Sequence, residues 1–166
     1  MEYVIDTSSL SWIERIGKLD LLIQLYESIY APPGVYRELS THIPTKKFVE
    51  EHVKPITFRD EKERRKFDRL VKRWTKKVDL EDVTDIQVFV GYRYFSEANE
   101  ALYANKRAED KLIRYGNVRD IGRLFELAEA QNLFTRADTR EFLECFLKLN
   151  CPYRPKYIEG LLSQLR

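Results

Sequence analysis

Three acidic residues stand where a fold could bring them onto one metal ion. Asp6 closes the run Glu2-Tyr3-Val4-Ile5-Asp6, an apolar segment that reads as a short buried strand, and Thr7, Ser8 and Ser9 follow it. Glu38 lies on a helical stretch that begins just after Pro32 and a second strand-like segment. Asp85 opens an aromatic-rich helix, next to Glu81 and Asp82. If these carboxylates meet, their repulsion calls for a cation. Carboxylate and water oxygens suit hard ions, so Mg or Mn is the expected metal. Such an ion activates a water and stabilises charge on a phosphoryl group during strand cleavage. Each acid also has a plainer reading. A strand-end Asp ahead of a Ser/Thr run can be a helix cap, Glu38 can be a solvated surface residue, and acids at a helix start complement its dipole.

The elements that must position these acids follow from spacing. Thr7–Ser9 provide cap chemistry for a helix through Trp12 and Ile16 that Gly17 ends. Leu19 to Tyr26 is a second helix, Ser28 to Ala31 a strand, and Pro33 starts the helix that carries Val35, Tyr36, Glu38 and Leu39. A helix is expected around Phe48 to Glu51 and a strand near Pro55 to Phe58. Asp60 to Lys77 is the clearest amphipathic helix, with Phe67, Leu70, Val71 and Trp74 on one face. A helix over Asp82–Tyr94, a strand over Ala101–Ala104 and a helix over Asn105–Tyr115 capped by Gly116 come next. Then follow a minimal strand at Val118-Arg119 and helices over Ile121–Gln131, Glu141–Leu149 and Tyr157–Leu165. Strands alternating with helices imply parallel crossovers and an α/β sandwich, and in such sheets functional groups gather at the carboxyl ends of strands.

Composition narrows the class. The chain has 166 residues, 43% hydrophobic and 13% aromatic, enough for a real core and for one domain or a domain with a small appendage. No apolar run reaches the roughly 18 residues of a spanning helix, and the first residues run straight into a strand-like segment without leader features, so the expected compartment is the cytoplasm. Two cysteines, Cys145 and Cys151, form no CxxC pair. Cys145 falls in an apolar helical pattern and reads as core. His42 and His52 read as surface residues. Net charge is only +2, but residues 59–77 hold ten Lys/Arg against four Asp/Glu. The segments on either side are net acidic. The basic face at Arg65, Lys66, Arg69, Lys72, Arg73 and Lys76 can track a phosphate backbone, making RNA an expected partner. The interleaved Asp60, Glu61, Glu63 and Asp68 equally fit a solvated face.

Taken together, Val4-Ile5-Asp6-Thr7-Ser8-Ser9-Leu10, Ile16-Gly17-Lys18-Leu19-Asp20-Leu21-Leu22 and Ala31-Pro32-Pro33-Gly34-Val35-Tyr36-Arg37-Glu38-Leu39 resemble the opening of PIN-domain proteins. The segments Val118–Phe125 and Ala128–Leu133 are similar to the final strand and helix of one branch of that family. The resemblance implies a PIN-like three-layer sandwich: a central parallel sheet of four or five strands between helices. Residues 1–166 would form a single PIN-like domain, with 135–166 a C-terminal helical extension packed on it. It further implies a metal-dependent endoribonuclease, a toxin–antitoxin role with an antitoxin partner, and a homodimer. Asp6 matches the family's first acid, Glu38 the second and Asp85 the third, with Asp82 a competitor for the last. The fourth acidic position departs from the pattern: Ala104-Asn105-Lys106-Arg107 stands there. Asn105 can coordinate through its amide oxygen. Lys106 can neutralise a carboxylate or hold a phosphate, and Asp120 can add an acid or cap a helix. The rival expectation is a catalytically impaired domain that binds RNA or a protein.

Overall fold

The computed structural model describes residues 1–104, 106–149 and 155–165. In chain order the elements are β1 (Glu2–Ile5), α1 (Thr7–Arg15), α2 (Leu19–Leu25), β2 (Ser28–Ala31), α3 (Pro33–Thr41), α4 (Ile43–His52) and β3 (Val53–Pro55). They continue with α5 (Glu61–Val78), α6 (Val83–Tyr94), β4 (Glu100–Tyr103), α7 (Lys106–Leu112), a 3-10 turn (Ile113–Tyr115), β5 (Val118–Asp120), α8 (Gly122–Ala130), α9 (Arg136–Lys148) and α10 (Pro155–Gln164).

The five strands form one parallel sheet in the order β3-β2-β1-β4-β5. Parallel strands covered on both faces read as near-continuous apolar runs, and a buried charge among them, Glu100 of β4, accepts from the Tyr26 hydroxyl at 2.8 Å. Tyr3, Val4, Ile5, Ile29, Ala101, Leu102, Tyr103 and Val118 are all buried. Helices α1, α3 and α4 contact one another, α5 packs on α6, and α8 packs against α2; with the right-handed crossovers that parallel strands take, α1–α4 belong to one layer and α5–α7 to the other. The chain winds outward from β1 through β2 to β3, then returns to β4 on the far side of β1. The strand order therefore reverses between β1 and β4. In open α/β sheets such a reversal is where the ligand-binding crevice lies, at the carboxyl ends of the two strands. Asp6 is the first residue after β1.

Most of the expected elements are present, with four corrections. The third strand is Val53–Pro55, earlier than Pro55 to Phe58, because α4 runs to His52 and hands over directly to it. Pro55 has no N–H to donate, which an edge strand tolerates. Helix α9 starts at Arg136, not Glu141, because Thr135 and Asp138 close a capping box. Gly116 follows the 3-10 turn with extended backbone, not the left-handed conformation of a helix C-cap. Its need for glycine is steric, since a Cβ there would lie 2.9 Å from the Tyr92 ring. Cys145 is half-buried, not core, and Cys151 lies outside the described residues.

Gly17 fulfils its expected role: α1 ends and the chain turns at φ +68°, a conformation open to glycine. Helix α5 buries Phe67, Val71, Trp74 and Val78 against α6, with Trp74 edge-on to Phe89 at 4.7 Å. This fixes which side of α5 faces solvent. Beyond β5, α8 contacts α9, which contacts α10. Among the described residues no helix is long and apolar enough to cross a membrane.

Candidate active site at the sheet reversal

Asp6 is held from several directions. Its backbone N–H donates to the Leu102 carbonyl of β4 at 3.3 Å, which ties the end of β1 to its neighbour across the reversal. Its Oδ1 accepts from the Ser9 N–H at 2.7 Å, capping α1. The helix-cap reading is therefore true, and it does not exhaust the residue. Asp6 is only 2% exposed, far more than a cap requires, since caps work at the surface. Burial lifts its pKa from the ordinary value of 3.8 to about 6. Hydrogen bonds from Ser9 and the Ala104 amide pull the other way, and the charge of Asp82 adds to the rise.

The other acids gather at the same edge of the sheet. Glu38 is exposed on α3, and its Oε2 accepts from Thr7 Oγ1 at 2.9 Å, so it is fastened to the residue after Asp6. Asp82 caps α6, accepting from the Thr84 N–H at 2.8 Å. Asp85 lies one turn further on, buried at 4% exposure. Asp82 is the exposed cap and Asp85 the buried residue of the first turn, so the two acids stand in different surroundings. Tyr103, the last residue of β4, donates its hydroxyl to the Asp85 carbonyl at 2.7 Å. Burial raises the Tyr103 pKa well above its ordinary value, and the charges of Asp85 and Asp6 raise it further. Segments far apart in sequence thus meet around one crevice. The charge of Asp82 acts weakly on Asp6, and the charges of Asp85 and Asp6 both act on Tyr103.

Each carboxylate has a donor of its own: Asp6 on Ser9, Glu38 on Thr7, Asp82 on Thr84. Among the described residues, no group of three or more His, Cys, Asp or Glu stands in an arrangement that could hold a metal ion. The donor chemistry fits a hard divalent cation, all oxygen and anionic, and the buried Asp6 is a carboxylate that a cation would relieve. The side chains are set for hydrogen bonds rather than for shared ligation.

The departing fourth position behaves as its residue types dictate. Lys106 neutralises carboxylates, with Nζ 2.6 Å from Glu109 and 2.9 Å from Asp110. Burial alone would lower its pKa, but bonds to those two acids hold it above the ordinary lysine value. Glu109 is itself buried, a charged residue that sequence reading passed over. The spacing i, i+3 from Lys106 was the available signal. Asn105 lies outside the described residues. Asp120 ends β5, opposite Tyr103 in the register, and lines a separate cavity against α8. Tyr103 was also missed, being indistinguishable in sequence from other apolar strand residues.

The basic face of α5 is exposed at Arg65, Lys66, Arg69, Lys72, Arg73 and Lys76. Arg65 pairs with Glu61 at 3.2 Å, and Lys66 sits 5.9 Å from the Phe95 ring. Arg69, Lys72, Arg73 and Lys76 make no ion pair among the described residues. Lys72 and Lys76 border a groove with Thr75, Val83 and Gln87. On the α6 side the groove is lined by Val83 and Gln87, and on the α5 side by Asp68 as well as the two lysines; its lining holds neither Asp82 nor Asp85.

A family model described as a PIN domain matches residues 2–92, which spans β1 through most of α6 and includes Asp6, Glu38, Asp82 and Asp85. No curated protein and no solved structure matches the chain.

Proposed function

We propose a function from a settled premise: this chain belongs to the PIN-domain family. The reading is a divalent-metal-dependent endoribonuclease that hydrolyses RNA phosphodiester bonds. The observation that carries it is Asp6. A carboxylate 2% exposed at the strand-order reversal, with its pKa lifted to about 6, is held at an energetic cost that capping a helix does not explain.

Asp6, Glu38 and an acid at the start of α6 would hold Mg or Mn: Asp85, the position the sequence resemblance implies, with Asp82 its competitor. Such an ion, when bound, supplies charge stabilisation at the phosphoryl group and an activated water. The chain's own residues prepare for this. Ser9 and Ala104 orient the Asp6 carboxylate, Thr7 orients Glu38, and Tyr103 fixes the backbone of the first turn of α6. Lys72 and Lys76 offer charge to the phosphates of a strand laid along the α5–α6 groove. A toxin role with an antitoxin partner, a homodimer, and a single working unit that includes 135–166 belong to the same proposal.

A second reading is supported by one specific observation. The described acids are not arranged as a metal-holding group, and Ala104-Asn105 stands where the family commonly has acid. A domain that binds RNA without cutting it would look like this. Cleavage of RNA with added Mn²⁺, comparing wild type with Asp6→Asn, separates the two. The nuclease reading expects cleavage by wild type and its loss in the variant. No cleavage by either protein, or equal cleavage by both, contradicts it.

A further inference from the structure

Between α8, α9 and α10 lies a cavity of about 120 Å³. Its lining mixes the apolar side chains of Phe125, Leu143 and Leu161 with Asp120, Glu126, Glu129 and Thr139. Asp120 and Glu126 have partners of their own, which leaves Glu129 and Thr139. Thr139 is 5% exposed, and its Oγ1 has no hydrogen-bond partner. A helical threonine usually offers its hydroxyl to a carbonyl in the preceding turn; this one faces the cavity instead. Glu129 Oε1 is likewise buried without a partner. An orphaned hydroxyl is costly, and a buried carboxylate oxygen without a donor more so.

The geometry points to a binding site for a small organic ammonium group. The guest must donate hydrogen bonds, offset negative charge and cover apolar surface. Water meets only the first requirement. A bare metal ion lacks ligands, because among the described residues no group of three or more metal-binding side chains exists. An ammonium brings three donors and a charge, and its alkyl chain lies against Phe125, Leu143 and Leu161. Glu129 and Thr139 take no part in the crevice around Asp6, so the site stands independently of the nuclease reading. The same ammonium could arrive on a free alkylamine or on a lysine side chain.

The test is an NMR titration of the full chain with n-butylammonium, with n-butanol as its neutral isostere and Nα-acetyl-lysine methylamide as the side-chain form. The expected result is saturable shifts in α8 and α9 with a Kd on the order of a millimolar, as so small a ligand permits. Butanol does not saturate. Glu129→Gln, folded by circular dichroism, weakens binding about tenfold, as loss of a charged hydrogen bond does. Thr139→Val, nearly isosteric, weakens it less. Saturation by the free amine but not the lysine form identifies a free amine as the guest, and saturation by both identifies the ammonium group whatever its source. No saturation by either amine, butanol binding as well as butylammonium, or binding unchanged in both variants overturns the proposal.

Discussion

The crevice after β1 and the outer face of α5 handle charge in opposite ways. In the crevice a few acids matter because of where they are: Asp6 is nearly sealed from water, so each neighbouring dipole and charge acts on it strongly. On α5 many cations matter because of how many there are. They are solvated and mostly unpaired, and any one of them contributes little. A buried group can be tuned by one hydrogen bond, whereas a surface stripe can only be tuned by number. Single substitutions should therefore be decisive in the first region and nearly silent in the second.

The largest effect expected is on catalysis. Asp6→Asn should lower Mn²⁺-dependent RNA cleavage by about 10²-fold or more, the scale on which removal of a principal electrostatic group acts. By contrast Lys72→Gln alone should hardly change cleavage. Cleavage kinetics on the two variants under one buffer would break the comparison if their losses were similar.

Stability should move the other way for the same residue. Raising the Asp6 pKa from 3.8 to about 6 means that folding is penalised once the carboxylate ionises. The stability tied to its neutral form is complete below about pH 4 and is lost as pH rises through about 6. Two units correspond to roughly 3 kcal/mol. Asn caps helices as well as Asp does. In metal-free buffer, urea unfolding should therefore show Asp6→Asn more stable than wild type at pH 7.5, by about 1–3 kcal/mol, and the gain should vanish near pH 4. A variant that is less stable at both pH values would show that Asp6 serves the fold alone.

Sequence carried the fold further than the site. Five strands and the order of helices were readable because parallel buried strands are continuous apolar runs and α5 repeats its apolar residues at helical spacing. What failed was local. The α9 start depends on a cap whose two partners look like ordinary polar residues, and Gly116 answers to Tyr92, which no spacing reveals. In the site, Asp6 and Glu38 could be singled out, but the hydroxyl of Thr7 that links them could not. Burial of Asp6 follows from the place of β1 in the middle of the sheet, between β2 and β4, a property of the whole fold.

On α5, charge must be removed in bulk. The triple variant Lys72→Gln, Arg73→Gln, Lys76→Gln should weaken binding to single-stranded RNA and flatten its salt dependence, by about 0.7 in log–log slope for each lost phosphate contact. Fluorescence anisotropy at several salt concentrations measures both. An unchanged slope would assign the stripe to solvation alone. The smallest effect expected is from Thr7→Val, which frees Glu38 from its 2.9 Å hydrogen bond. Loss of one such bond at the surface is worth about 1 kcal/mol. Cleavage should fall a few-fold at limiting Mn²⁺ and recover when the ion is in excess.

The most direct measurement is Mn²⁺ binding itself, by calorimetry on wild type and Asp6→Asn at pH 7.5 and again at pH 5. Binding by wild type that weakens at pH 5, where a proton competes for Asp6, and is lost in the variant, is the result expected of a metal site anchored on this residue. Binding that is equal in the two proteins, or absent from wild type at pH 7.5, would contradict it.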